Sequence, residues 1–226
     1  MKKNAICIIP ARSGSKRLPN KNILKINKKP MLAHVIDNVK KSNCFKDIFV
    51  STDSNSIKKI AERHGAKVPF MRSKKLSNDH TTVHEVIHDS LKKISLKYNY
   101  EIVCYIFPTS IFIKKDYIKN LFKKFNHGTC DYLMVVRKFD HPIERSLIIN
   151  KNKIKPNHKK KFYQRTQDFK ESFYDSGEIY FGKKNSFLKK RKIFNSKVMT
   201  IISKKRFIDI DTNEDFQRAK KLFFKK

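Results

Sequence analysis

Short apolar runs alternate with amphipathic stretches along most of the chain. In Asn4-Ala5-Ile6-Cys7-Ile8-Ile9 every residue after Asn4 is apolar, the pattern of a strand covered on both faces in a parallel sheet, and Pro10 closes it. Residues 31–39 then place Met31, Leu32, Val35, Ile36 and Val39 at helical spacing, with Pro30 suited to the first turn. A second strand over 47–51 is followed by a helix over 54–64 with Ile57, Ile60 and Ala61 inward, and Gly65 is placed to end it. Residues 67–70 resume extended chain, 81–98 predict a third helix, and 102–107 form a buried central strand stopped by Pro108. A helix over 115–125, a strand over 132–136, a return to the sheet over 176–181 and short strands over 198–202 and 207–210 follow. The last helix, 212–224, turns Phe216, Ala219, Leu222 and Phe223 inward. This order predicts an α/β fold: a mostly parallel central sheet, helices on both faces and right-handed crossovers. No internal repeat or Gly/Ser linker divides the chain, so one domain over 1–226 is expected. Residues 138–172 break the rhythm. The stretch 150–161 is polar, cationic and poor in periodicity, as an exposed arm would be.

The chemistry concentrates where the first strand ends. Arg12, Lys16, Arg17 and Lys21 fall within ten residues, with Ser13, Ser15 and backbone N–H groups among them, a donor set fit to grip several phosphate oxygens. Neither Gly-x-x-x-x-Gly-Lys-Ser/Thr nor Gly-x-Gly-x-x-Gly occurs, which argues against two large nucleotide-binding classes. In open α/β sheets ligands lie beyond the carboxyl ends of the strands, and that rule gathers this loop with Thr52-Asp53 and Pro108-Thr109. Asp209 and Asp211, two apart on an expected strand, project to one face with Ile208 and Ile210 behind them, an oxygen-donor pair suited to Mg²⁺. The same acids also read as a helix start, with Asp211 or Thr212 capping.

Ile9-Pro10-Ala11-Arg12-Ser13-Gly14-Ser15-Lys16-Arg17-Leu18-Pro19-Asn20-Lys21-Asn22 resembles the N-terminal signature of the cytidylyltransferases that activate nonulosonic acids, the sialic acid-like nine-carbon sugars. Val50-Ser51-Thr52-Asp53, Phe70-Met71-Arg72, Leu76-Ser77-Asn78-Asp79, Pro108-Thr109-Ser110, Asp175-Ser176-Gly177 and Ile208-Asp209-Ile210-Asp211-Thr212 follow in the family's order, so the resemblance covers essentially the whole chain. Within that family, His141-Pro142-Ile143-Glu144-Arg145-Ser146-Leu147 and Arg165-Thr166-Gln167-Asp168 are most similar to the pseudaminic acid cytidylyltransferases. The resemblance implies a Rossmann-like nucleotidyltransferase fold and transfer of CMP from CTP to an acidic sugar, with pyrophosphate released. It further implies a homodimer, with 138–172 as a dimerisation arm reaching the partner's sugar site. By the same similarity Arg12, Lys16 and Lys21 hold the triphosphate, and Asp209 and Asp211 hold Mg²⁺, with Asp211 or a metal-bound hydroxide taking the proton. Ala11, Arg12, Ser15, Asn22, Arg72 and Thr82 bind the nucleotide, Arg72 as a fork-shaped donor to a base carbonyl. Arg165, Gln167 and Asp175 are assigned to the sugar, whose carboxylate calls for a guanidinium. One position departs from the pattern: Phe107 stands where many sialic acid synthetases have Gln, which removes an amide contact and turns the reading away from sialic acid itself.

Composition brings in two rivals. The formal charge of +33, from 53 Lys+Arg against 20 Asp+Glu, is that of a nucleic-acid binder. The lysines, however, run from Lys2 to Lys226 without gathering in a stripe, and no zinc-finger or RNA-recognition signature accompanies them. His84-Glu85-Val86-Ile87-His88 spells a zinc-hydrolase string, but no third ligand is evident. Cys7, Cys44, Cys104 and Cys130 are far apart and lack Cys-x-x-Cys spacing, so reduced thiols and a cytoplasmic setting are expected; with no run of 18 apolar residues, no membrane association is expected either.

Overall fold

The computed structural model describes residues 4–189, 193–205 and 207–224. Strand β1, Ala5–Pro10, is central, and its alternating side chains serve two cores. Ala5, Cys7 and Ile9 face one apolar cluster, and Ile6 and Ile8 face the other, which is why the run needs no polar face. On the first side pack α1, Met31–Ser42, α2, Asn55–Arg63, α4, Lys115–His127, and α6, Asn213–Phe224. On the second lie α3, Val83–Ser95, and the short α5, Lys184–Leu188. In α1 the positions Met31, Leu32, Val35, Ile36 and Val39 are all buried, as the 3.6-residue period requires.

The six-stranded sheet joins β1 to β4, Asp47–Ser51, β5, Ile102–Ile106, β6, Tyr132–Lys138, β9, Phe173–Lys183, and β10, Val198–Ile202, in the order β10-β6-β9-β5-β1-β4. Strand β1 runs parallel to β4 and β5, and β10 runs parallel to β6. Strand β9 is reversed against both its neighbours. Its Gly182 lies so close to Phe187 and Tyr132 that a Cβ would meet their rings at 2.5 and 2.7 Å, so only glycine lets α5 close over this strand. The expected mostly parallel sheet with helices on both faces is therefore present.

Several local expectations change. Helix α3 starts at Val83, because Thr82 is its N-cap, and ends at Ser95 rather than 98. Residues 207–210 are not a strand: the β10 ladder ends at Ile202 opposite Val136, and Ser203 then donates its N–H to Val136 O as the chain leaves the sheet. Two hairpins were not expected. Strands β2, Lys25–Ile26, and β3, Lys29–Pro30, turn through Asn27 and Lys28, both at positive φ (48° and 62°), the left-handed pair that a tight two-residue hairpin requires. Strands β7, Leu147–Asn150, and β8, Lys153–Pro156, form the other within the arm. Gly65 stands at φ 88° just past α2, in the helix-ending role its position suggested. All four cysteines are free and buried, and no helix among the described residues is long and apolar enough to cross a membrane.

Candidate active site

The loop after β1 alternates anchors with cations. Ala11, Leu18 and Asn22 are buried, whereas Arg17 and Lys16 project into solvent and Arg12 and Lys21 are partly covered. Ala11 N–H donates to Ser51 O at 2.9 Å, and Asn22 Nδ2 donates to Arg12 O at 2.8 Å, so both ends of the loop are pinned. Asn20 takes a left-handed turn at φ 55° that leads into a 3-10 turn over Lys21–Ile23. From the end of β4, Asp53 accepts the backbone N–H of Ser13 at 2.7 Å and its hydroxyl at 2.8 Å. The loop is thus held in shape by neutral and acidic neighbours, leaving its guanidinium and ammonium groups to face outward.

Those groups meet two acids. Arg17 Nη2 lies 2.5 Å from Asp211 Oδ2, and Lys21 Nζ lies 2.7 Å from Asp211 Oδ1, across about 190 residues of chain. Asp211 of the acidic doublet is therefore in contact with the cationic loop. Asp209 and Asp211 flank Ile210, which is fully buried and anchors them, while Asp215 in the first turn of α6 accepts the N–H groups of Asp211 and Thr212 at 3.2 and 2.9 Å. Partial burial works to raise the Asp211 pKa, but the hydrogen bonds and charges of Lys21 and Arg17 outweigh it and hold the carboxyl below its usual 3.8. Asp209 goes the other way: the protein around it and the charge of Asp211 raise its pKa. Two carboxylates so arranged, one firmly ionised, are hard oxygen donors of the kind a divalent cation takes.

On the other side of the loop, Arg12 Nη2 and Lys16 Nζ share Asp79 at 2.8 and 2.7 Å, and Arg12 Nη1 also donates to Asn78 O at 2.6 Å. The hydrogen bond from Lys16 leads in lowering the Asp79 pKa, with Arg12 adding to it. Between these contacts opens a cavity of about 240 Å³, lined by Pro10, Arg12, Lys21, Asn22 and Arg72, by 3-10 and loop residues including Asn78 and Thr81, and by Phe107, Pro108 and Thr109. It lies at the carboxyl ends of β1, β4 and β5, where the topology places ligands. Arg72 is buried in its wall. Its Nη2 donates to Ser51 O at 2.5 Å and its Nε to Ser51 Oγ at 3.2 Å, and burial lowers its pKa to about 10, still far above neutrality.

The remaining predicted residues sit farther out. Thr82 closes a capping box with Glu85, its hydroxyl accepting the Glu85 N–H at 3.3 Å while Glu85 Oε2 accepts the Thr82 N–H at 2.8 Å, and its neighbours Thr81 and Val83 line the cavity. The Glu of the His-Glu-x-x-His string is thus part of a helix cap. Ser15 is half-buried on the loop. Asp175 lies on β9, accepting the Tyr180 hydroxyl and, at 3.0 Å, the N–H of Gly177. Burial lowers the pKa of the nearby His84, and Asp175 opposes that shift. Arg165 and Gln167 are exposed on the arm and bond to each other, outside the residues lining the cavity.

Sequence pattern alone assigns no partner to Asp53, Asp79 or Arg145, and does not pair Arg17 with Asp211. Asp53 follows the end of β4, where the strand-end rule gathers it, whereas Asp79 lies beyond the 3-10 turn over Lys74–Leu76 and meets Arg12 and Lys16 only through the fold. Arg145 reaches Phe162 O at 2.5 Å, Gln164 O at 2.7 Å and Thr166 Oγ1 at 3.3 Å, tying the two sugar-side motifs together over separations no periodicity reveals.

A cationic strand-end loop beside an acidic doublet is the geometry on which the comparisons with known proteins bear. The sequence profile described as cytidylyltransferase matches residues 6–225. The chain belongs to the cytidylyltransferase family. A pseudaminic acid cytidylyltransferase of Campylobacter jejuni subsp. jejuni serotype O:2 is 33% identical over 96% of this chain and 95% of its own length. An N-acylneuraminate cytidylyltransferase of Streptococcus agalactiae serotype V is 35% identical over 93% of this chain and 51% of its own. Among solved structures, CMP:2-keto-3-deoxy-manno-octonic acid synthetase complexed with CTP superposes with a TM-score of 0.74, at 17% identity, covering 97% of this chain and 98% of that one. This cytidylyltransferase therefore shares its fold with nucleotidyltransferases.

Proposed function

We propose that this cytidylyltransferase couples CTP to a nonulosonic acid, pseudaminic acid before legionaminic or sialic acid, giving the CMP-sugar and pyrophosphate. The observation that carries the reading is the convergence of Arg17 and Lys21 on Asp211, with Lys21 also lining the cavity. A triphosphate entering there meets Arg12, Lys16 and Lys21, whose present partners Asp79 and Asp211 are carboxylates that phosphate oxygens can replace. The base would lie deeper, against Ala11 and Arg72, with Asn22 and Ser15 nearer ribose and phosphates.

The donor chemistry of Asp209 and Asp211 fits Mg²⁺, which binds a few carboxylates and completes its shell with water and phosphate. When bound, Mg²⁺ supplies charge neutralisation and an acidified sugar hydroxyl. The chain's own part is to hold the α-phosphorus in line with that hydroxyl and to draw pyrophosphate toward Lys16 and Lys21. On this reading Asp211 is one candidate acceptor of the hydroxyl proton, the metal's own base being the other.

The sugar side is assigned to Asp175, with Arg165 and Gln167 reaching it from a partner subunit. The arm favours this arrangement, because Ile149 and Ile154 pair across the β7–β8 hairpin at 73% and 62% exposure, an apolar surface that a second copy would cover. Phe107 at the cavity rim offers an apolar wall, and the similarity to a pseudaminic acid enzyme along 96% of the chain ranks that sugar first. The protein acts in the cytoplasm, where CTP is made available.

The test is pyrophosphate release measured with CTP, Mg²⁺ and each of pseudaminic, legionaminic and sialic acid. Release that needs all three components, strongest with pseudaminic acid, is the expected result. Absence of release with every acid would overturn the reading, and salt-sensitive DNA binding without turnover would favour the polyanion alternative.

A further inference from the structure

The segment that carries the acidic doublet leaves the sheet at Ser203 and has no ladder to fix it over 207–211, yet both oxygens of Asp211 meet the cationic loop at hydrogen-bond distance. Ile210 buries its far end. At its near end Lys205 donates its N–H to Ser203 Oγ at 3.3 Å and lays its ammonium over the Tyr117 ring, and one side chain ties this end to a buried acid. Arg137 on β6 donates from Nη1 to Lys205 O at 2.7 Å, and its guanidinium lies over the ring of Phe207, 4.7 Å from the centroid. The same guanidinium donates from Nη2 to Glu178 Oε2 at 2.8 Å, and the side chains of this pair are only 11% and 3% exposed. Glu178 in turn holds the other rim of the cavity: its backbone oxygen accepts Phe107 N–H at 3.2 Å and the Ser110 hydroxyl at 3.0 Å.

We infer that Arg137 and Glu178 are positioning residues, a buried clamp that sets the acidic doublet at a fixed distance from the 107–110 rim of the cavity. An ordinary buried ion pair contributes little net stability once desolvation is counted, and an apolar pair can replace it without loss. This one has a forked donor turned toward a neighbouring loop. Only a guanidinium can bind Glu178 and Lys205 O at once while stacking on Phe207. A lysine has a single point charge and would keep at most the carboxylate. The clamp touches neither nucleotide nor sugar on the proposed reading, and it acts through Lys205 and the backbone of 207–211. Misplacement by about 1 Å at that distance is enough to cost on the order of 100-fold in rate.

The inference rests on the reading of the doublet as the metal-holding part of the site, and two variants separate its failure from that reading's. Arg137→Lys retains the charge pair and removes the grip on Lys205 O. Arg137→Leu with Glu178→Leu removes the pair and leaves no buried charge. For each, amide hydrogen exchange over 207–211 is compared with exchange in β5, and kcat and KM for CTP are measured with the best sugar of the panel. Expected are exchange over 207–211 faster by about tenfold or more with β5 unchanged, a fall in kcat of tenfold to 100-fold, and a KM for CTP little altered. Exchange over 207–211 equal to the parent protein's, or an unchanged kcat in a folded variant, overturns the inference. Failure of both variants to fold also overturns it, because it assigns the pair to stability alone. Should the parent protein turn over no sugar, the functional reading falls and the exchange measurement still decides the clamp.

Discussion

The loop after β1 and the arm over 138–172 are both rich in cations, and they hold them in opposite ways. In the loop, Arg12, Lys16, Arg17 and Lys21 each find a carboxylate, and buried Ala11, Leu18 and Asn22 fix the backbone beneath them. In the arm, the lysines of 151–161 surround exposed Ile148, Ile149 and Ile154, and Tyr163 is 85% exposed. The difference is one of partners. A cationic loop over a packed floor is ordered on its own, because the ordering cost has been met by folding. A hairpin of apolar residues in solvent is complete only when something covers it.

The largest effect expected from breaking the ordered half of this contrast is with Asp211→Ala. CTP-dependent pyrophosphate release should fall by at least about 100-fold, while the thermal midpoint changes little, because Arg17 and Lys21 return to solvent. Steady-state kinetics beside a melting curve check this, and retained activity would remove Asp211 from the chemistry. Next, charging the arm with Ile149→Lys and Ile154→Lys should turn a dimer into a monomer in sedimentation and reduce turnover by about tenfold if the partner completes the sugar side. A variant that sediments as the parent does would show that the hairpin is not the contact. A smaller loss is expected from Asn22→Ala, which leaves Arg12 O without its amide donor and should cost about 1–2 kcal/mol in chemical denaturation. Thr82→Ala should cost about 1 kcal/mol through loss of the helix cap and leave kcat nearly intact. A marked rise in KM for CTP in that variant would instead place the Thr82 hydroxyl on the nucleotide.

The response to pH sharpens the same contrast. The folded-state pKa values of Asp79, Asp211 and Asp215 lie below their usual 3.8, so their contribution to stability is present above that value and is lost as pH falls through the lower folded values. Asp209 has a raised pKa, so its ionisation opposes folding as pH climbs past that value. Acid unfolding monitored from pH 5 downward should therefore be shifted by Asp211→Asn, and much less by neutralising acids outside the site.

Sequence pattern was informative where packing is two-sided. The apolar runs of β1, β5 and β6 and the 3.6-residue stripe of α1 announce themselves because both faces or one whole face must be buried. It failed where local geometry or distant pairing decides. Asn27-Lys28 makes a hairpin through two left-handed residues without the glycine that usually marks such a turn. The segment 207–210 looks like a strand by alternation, and Ile210 is indeed inward, but no neighbouring strand accepts it. At the site, the cation cluster and the acid doublet were visible as motifs, whereas their contact across some 190 residues, and the use of Thr82 as a helix cap, could be seen only in the folded chain.

One reversed strand has a consequence for what this scaffold can become. Because β9 runs against β6, the chain departs the sheet at Lys138 and re-enters opposite it at Phe173, and Phe139 N–H and Ser172 O close the gap at 3.0 Å. Everything between is an insert that leaves and rejoins the sheet at one place, tied there again by Lys138 and Glu171. Its length and sequence can drift without moving any strand of the six-stranded sheet, so new surfaces can be tried there while the loop after β1 and its carboxylate partners stay untouched.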